Sequence, residues 1–304
     1  MRKPCFMIAL LMAAIASSAD VTDGLKFKLD FTSVVGQNVT DNISGIIAKV
    51  MNTATVEEMG DYYVLNLGNG TGYLDLTAAA GELFAGFGNY TVSAYYRVAE
   101  NTSLSGNGHF LWSFSTSTAC TATGGAYTAY RINAQRFAST VGGYNNEVGF
   151  ALNTASETGY WIHVAILQNG TTGRLYINGK HRGAVANMAT NATIYGTTKP
   201  QYCWVGRPPF SGDIYLKNTL VTDIRFYNRA LTQAQITELA EKTALLDDAY
   251  IHGSSGDATQ LNATITQARS LIAAANTYLP DAISDLEDMV TVAEEAASGG
   301  DSQG

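Results

Sequence analysis

Cysteine, proline and charge are all scarce in this chain, and each shortage rules something out. The three cysteines are Cys5, Cys120 and Cys203. None forms a Cys-x-x-Cys pair, which removes zinc-ribbon and thioredoxin-type chemistry. Five prolines leave the turns to Gly and Asn at positive φ. Charged residues make up 14% of the chain, no Lys/Arg cluster occurs, and the net charge is −8. Nucleic-acid binding needs clustered cations against phosphate, so no nucleic-acid partner is expected. Adsorption to anionic lipid is disfavoured for the same reason. The four histidines (His109, His163, His181, His252) include no pair at helical or hairpin zinc spacing. No Gly-x-Ser-x-Gly elbow is present.

The apolar run Phe6–Ala16 is too short to cross a bilayer. Arg2 and Lys3 precede it and Ser17-Ser18-Ala19 follow it, which reads as a signal peptide over 1–19. The alternative is a membrane anchor. Cys5 lies before the run, where a lipoprotein cleavage site would not place it. The expected mature chain starts near Asp20 and has a net charge of −10 without Arg2 and Lys3. Secretion to the periplasm, cell surface or medium follows, with no membrane span. Cys120 and Cys203 are then an even pair in an oxidising compartment and a possible disulfide. The alternative is two free thiols, one in a strand and one in a loop.

What is abundant is period two. Leu25-Lys-Phe-Lys-Leu-Asp-Phe alternates apolar and polar, as a half-buried strand does. Tyr62–Leu67, Tyr73–Leu76, Tyr90–Val98, Phe110–Ser115, Ala126–Phe137, Val148–Leu152, Cys203–Val205 and Val221–Tyr227 continue the pattern. Tyr160–Leu167 and Gly173–Lys180 predict a hairpin closed over Gln168-Asn-Gly-Thr-Thr-Gly. More than ten short strands with Gly and Asn turns predict an all-β, two-sheet antiparallel jelly-roll sandwich over 20–245. Asn-x-Ser/Thr triplets at Asn38, Asn42, Asn69, Asn89, Asn101, Asn169, Asn191 and Asn262 read as turn chemistry.

Helical signals begin late. Thr232 and Gln235 form a capping box ahead of Ile236 and Leu239. Further helices are expected from Asp257 and from Pro280, as an α-helical hairpin linker module over 246–297, with a flexible tail at 298–304.

Three segments in order carry a resemblance. They are Tyr90-Thr-Val-Ser-Ala-Tyr-Tyr-Arg-Val, then Trp161-Ile-His-Val-Ala through Leu175-Tyr-Ile-Asn-Gly, then Trp204-Val-Gly-Arg through Asp223-Ile-Arg-Phe-Tyr-Asn-Arg-Ala-Leu-Thr. Together they resemble the laminin G-like branch of the concanavalin A-like lectin/glucanase superfamily, from about Leu25 to Leu239. Asp30-Phe-Thr-Ser-Val and Leu67-Gly-Asn-Gly-Thr-Gly-Tyr-Leu-Asp-Leu look like a subgroup found in secreted Bacteroidetes proteins, often ahead of a glycosidase domain. The C-terminal helices look like FIVAR-like linker modules. The resemblance implies the non-catalytic front part of a polysaccharide-degrading protein, with a glycan, a glycosidase or another cell-surface protein as partner. It also allows a rim Ca²⁺, for which Asp61, Asp75, Asp213 and Asp223 are candidates. The fold alone decides no function.

Glycoside hydrolysis needs two carboxyls flanking one bond. The only acids between Asn101 and Gly212 are Glu147 and Glu157. They fall on different elements and read as surface carboxylates. His163 sits mid-strand and reads as structural. Trp112 and Trp161 read as core, and Trp204 as either core or site. A sugar site needs an aromatic platform beside planar hydrogen-bonding side chains. Alternation along Tyr127–Phe137 puts Tyr130, Ile132 and Ala134 on a core face and Arg131, Asn133 and Gln135 on the outward one. Tyr144 and Asn145 in the following Gly-Gly loop would edge that surface. The expected role is therefore carbohydrate binding, without catalysis. The alternatives are a protein-contact or spacer module, whose outward face is a plain solvated one, and a glycoside hydrolase or a fragment of one.

Overall fold

The structure, a computed structural model, describes residues 21–252 and Thr266. The leader, the helices expected from Asp257 and Pro280, and the tail lie outside the described residues. The chain divides into two compact units. One takes residues up to Glu57 and Tyr63–Leu246, and the other takes Glu58–Tyr62 and the residues from Asp247. The described part of the second unit comprises the turn after Met59 and a last stretch of helix.

The strands, in chain order, are β1 (Leu25–Leu29), β2 (Val34–Val35), β3 (Asn38–Thr40), β4 (Ile47–Met51), β5 (Thr55–Met59), β6 (Tyr62–Asn66), β7 (Tyr73–Asp75), β8 (Tyr90–Val98), β9 (Phe110–Ser115), β10 (Tyr127–Arg131), β11 (Arg136–Thr140), β12 (Val148–Ala151), β13 (Trp161–Asn169), β14 (Thr172–Ile177), β15 (Lys180–Val185), β16 (Tyr202–Val205) and β17 (Thr219–Tyr227). Helices α1 (Thr77–Ala85), α2 (Asn191–Tyr195) and α3 (Gln233–His252) complete the described fold.

Eight strands form one sheet in the order β15-β14-β13-β8-β17-β6-β5, with β1 also paired to β17. Nine form the other, in the order β12-β11-β10-β9-β16-β7-β4-β3-β2. The strand pairs are antiparallel, as period-two segments with short turns require. The two inner faces meet in one core. Phe27, Val92, Tyr96, Val164, Ile166, Leu175 and Phe226 come from the eight-stranded sheet, and Leu74, Trp112, Phe114, Tyr130, Phe137 and Val205 from the nine-stranded one. Phe84 of α1 stacks on Phe114 with ring centroids 4.2 Å apart. Trp112 and Trp161 are buried, as expected of core residues.

The outer face of the eight-stranded sheet is also covered. Leu231, Ile236 and Leu239 pack with Ala165, Leu167, Tyr176 and Tyr227. Each such side chain contributes about 1.5–3 kcal/mol on burial. The capping box forms: Thr232 N–H donates to Gln235 Oε1 at 3.1 Å, and Gln235 N–H donates to Thr232 Oγ1 at 3.3 Å. Beneath this helix lies a polar layer. A bulge in β17 between Thr222 and Arg225 sets Asp223 at φ 49°. Asp223 takes Arg225 Nε and Nη2 at 2.6 and 2.7 Å and Lys242 Nζ at 2.6 Å. Burial alone would raise its pKa, yet the Arg225 guanidinium and the Lys242 ammonium hold it well below the carboxylate range. A carboxylate neutralised by two cations is no calcium ligand, so that candidacy is corrected. Asp75 accepts from Thr77 N–H at 2.8 Å and starts α1, an ordinary turn role. Among the described residues no group of three or more His, Cys, Asp or Glu side chains could hold a metal ion.

The disulfide is also corrected. Cys120 and Cys203 are both free and buried. Cys203 lies on β16 opposite Phe114 and joins the inner core. Cys120 lies in the β9–β10 loop, clusters with Phe110, Tyr127 and Ala129, and contacts Ser115 Oγ at 3.1 Å. Phe114 and Ser115 are consecutive strand residues and point to opposite faces. The sheet therefore separates the two thiols.

Candidate functional site

The run Tyr127–Phe137 is a hairpin, where alternation predicted one strand. β10 ends at Arg131, Ile132–Gln135 turn, and β11 starts at Arg136. Gln135 adopts φ 43° to close the turn. Tyr130 and Ile132 are core, as expected. Asn133 and Gln135 are turn residues with structural partners. Asn133 Nδ2 donates to Gly106 O at 2.7 Å. Gln135 Nε2 donates to Thr154 O and Ala155 O at 3.3 and 3.2 Å. Gln135 lines a separate, smaller cavity of about 180 Å³ with Glu157, Lys180 and Arg182. Both side chains brace the turn, and neither lines the larger depression that Arg131 and Tyr144 line.

The turn brings Arg136 directly opposite Arg131 in the β10–β11 register. Both then project from the outer face of the nine-stranded sheet, on the side of Tyr127 and Ala129. An open depression of about 740 Å³ lies there. Arg131 and Arg136 line it from the hairpin, Phe110 from β9 and Cys120 from the β9–β10 loop. Tyr144 and Glu147 line it from the segment before β12, and Phe210 and Asp213 from the loop after β16.

Its floor is aromatic. Phe210 packs with ring centroids 5.3 Å from Tyr127, 5.7 Å from Phe110 and 6.2 Å from Tyr144. Tyr144 is 50% exposed. Its position is fixed by backbone. Gly143 holds φ 73°, and any Cβ there would sit 2.4 Å from Ala122 O. Tyr144 N–H donates to Thr121 O at 3.0 Å, and Thr140 Oγ1 donates to Gly143 O at 2.8 Å. Asn145 is exposed beside Tyr144 and anchors by its N–H to Ala122 O at 3.0 Å. It does not line the depression.

The polar groups are unevenly paired. Glu147 receives the Tyr127 hydroxyl on Oε1 and the Arg136 guanidinium on Oε2. Burial, then the adjoining Glu147, pushes the Tyr127 phenol far above its usual range. Among the described residues Arg131 forms no ion pair within 4.0 Å, and its Nε is buried without a hydrogen-bond partner. Burial and then Arg136 lower its pKa. Burial raises the Asp213 carboxyl, with Arg131 and His109 partly opposing.

Other aromatics and polar groups are structural. Trp204 is 2% exposed under the Arg207 guanidinium, whose carbon lies 3.8 Å from the ring. His163 is wholly buried, with Nε2 at 2.8 Å from Ser93 Oγ. Of the residues expected to bind, Arg131 and Tyr144 meet at one site, while Asn133, Gln135 and Asn145 do not. Arg136 and Phe210 were missed as site residues, and Asp213 was named only as a calcium candidate. The one local signal was Asn133 as a turn former, which would have placed Arg136 across from Arg131.

Comparison with solved structures gives the fold. Domain 4 of AbnA, an extracellular arabinanase from Geobacillus stearothermophilus in complex with arabinotriose, matches with TM-score 0.53 at 16% identity, covering 71% of this chain and 98% of that one. Trypanosoma rangeli sialidase in complex with sialic acid matches with TM-score 0.51 at 21% identity, covering 73% of this chain and 33% of that one. The receptor binding domain of botulinum neurotoxin C/D mosaic serotype matches with TM-score 0.51 at 16% identity, covering 73% and 52%. The chain thus spans about a third of the sialidase. Comparison with curated protein sequences gives no match. The sequence profile of one family matches residues 68–237. With its two-sheet antiparallel sandwich, this chain belongs to the concanavalin A-like lectin/glucanases superfamily.

Proposed function

We propose that this chain is a secreted, non-catalytic carbohydrate-binding module that targets a glycosidase partner to polysaccharide at the cell surface or in the periplasm. One observation carries the reading: a depression on the outer sheet face is lined by both a half-exposed, backbone-fixed Tyr144 and Arg131. A sugar ring presents an apolar C–H face to an aromatic and hydroxyls to planar donors and acceptors, and both are in place. That outer face belongs to the nine-stranded sheet, while α3 covers the other sheet. No described helix is long and apolar enough to cross a membrane. The arabinanase domain bound to arabinotriose and the sialidase support sugar recognition by analogy of fold.

A glycan array with the mature chain tests this, followed by Arg131→Ala and Tyr144→Ala on any hit. Each change is expected to weaken binding about tenfold or more, the scale of one charged hydrogen bond or one stacked ring. Binding that survives both changes moves the site elsewhere. Single-module affinity is expected to be weak and to gain from tethering.

A second reading, glycoside hydrolysis, rests on Glu147 and Asp213 sharing the depression. Glu147 has both oxygens engaged by Tyr127 and Arg136, which leaves it poorly placed as a free base or nucleophile. Glu157 lines the other cavity and cannot pair with it. Release of reducing ends from bound glycan that Asp213→Asn abolishes would establish hydrolysis in place of simple binding.

A further inference from the structure

Arg131 and Arg136 face each other across an antiparallel pair on one sheet face. Like charges in that position repel. Glu147 forms its ion pair with Arg136 and not with Arg131. Among the described residues Arg131 is left with a buried, unpartnered Nε–H and no carboxylate within 4.0 Å. Asp213 shares the depression, but it lies beyond ion-pair range of Arg131. Burial raises its pKa, with Arg131 and His109 partly opposing.

We infer that the depression selects glycans that carry a carboxylate, the sugar carboxylate pairing with the Arg131 guanidinium that no protein acid fills. This rests on the glycan-binding reading above. A guanidinium fork fits a carboxylate with two parallel N–H···O bonds, whereas a sugar hydroxyl satisfies one donor and leaves the charge uncompensated. Tyr144 and Phe210 take the apolar ring face. The carboxylate could come from a uronate within a polysaccharide or from a terminal sialic acid, which share this chemistry.

The test is isothermal titration calorimetry of the full chain with trigalacturonate and with sialyllactose. Each is matched to a neutral counterpart, galactotriose or lactose. The acidic sugar is expected to bind about 10- to 100-fold tighter than its neutral match, the range of a charge-assisted hydrogen bond. Whichever acidic sugar binds identifies the source. Arg131→Gln should erase the preference, and Asp213→Asn, which removes a carboxylate from the depression, should keep or strengthen acidic-sugar binding. The wild-type comparison does not depend on either variant folding. Equal binding of acidic and neutral sugars, or a loss of both in Asp213→Asn, overturns the inference and leaves the glycan reading standing. A neutral hit on the array with no acidic binding does the same. No binding to any glycan removes both.

Discussion

Acidification should destabilise this protein through one residue, His163. The side chain is wholly buried on β13, with Nε2 2.8 Å from Ser93 Oγ and Nδ1 buried without a hydrogen-bond partner. Burial, then repulsion from Arg225, lowers its pKa to about 3. The unfolded chain has an ordinary histidine, with a pKa of about 6.5. Between these values the unfolded state holds one more proton than the native state. Stability is then full above pH 6.5 and falls by about 1.4 kcal/mol per pH unit as pH drops towards 3. From about pH 7 to about pH 4.5 the loss from this group is about 2.5 kcal/mol. Asp223 does not enter that window. Its depressed pKa gives a contribution that is lost only below the ordinary carboxylate range, near pH 3.9. Urea unfolding of wild type and His163→Gln across this range isolates the term, because the difference in pH slope is independent of the fixed cost of the substitution. The wild-type chain should lose about 2.5 kcal/mol more than the variant. Equal losses in the two would refute the reasoning.

Asp223→Asn should cost about 3–5 kcal/mol, because Arg225, 3% exposed, loses the buried carboxylate that it bonds through Nε and Nη2. Lys242→Ala, whose side chain is 25% exposed, should cost about 1 kcal/mol and less in high salt. Chemical denaturation of both variants checks the ratio, and similar losses would assign the network to Lys242. Gly81→Ala should destabilise by about 1–3 kcal/mol despite the better helix former gaining up to about 1 kcal/mol. The new Cβ would lie 2.0 Å from Pro200 O and 2.7 Å from Cys203 Sγ, and a raised Tm would contradict this. Native protein should resist thiol labelling at Cys120 and Cys203, and reductant should leave Tm unchanged. A Tm that falls with reductant would restore the bridge.

Much of the fold was legible because its signals are local. Period-two runs gave the strands of the sandwich, Thr232 with Gln235 gave the start of α3, and Trp161 through Gly179 gave the β13–β14 pair. Helix α1 was not legible. Its N-cap is Leu76, with no side-chain cap, and its sequence is a run of small and apolar residues without a polar face. The β10–β11 turn was missed because Tyr130, Ile132 and Ala134 keep the alternation running through it.

The sequence by itself determined which side chains alternate along each strand, and therefore that two layers with a shared core would form. Only the tertiary structure decided which strands lie side by side, and so which outward residues meet. The depression draws on β9, β10, β11, the Gly-Gly loop and the loop after β16, segments far apart in the chain. It also decided that Cys120 and Cys203 lie on opposite faces of one sheet. Alternation fixes a residue's face relative to its own strand neighbours. Register and strand order come from burying both sheets at once, and no local pattern encodes that.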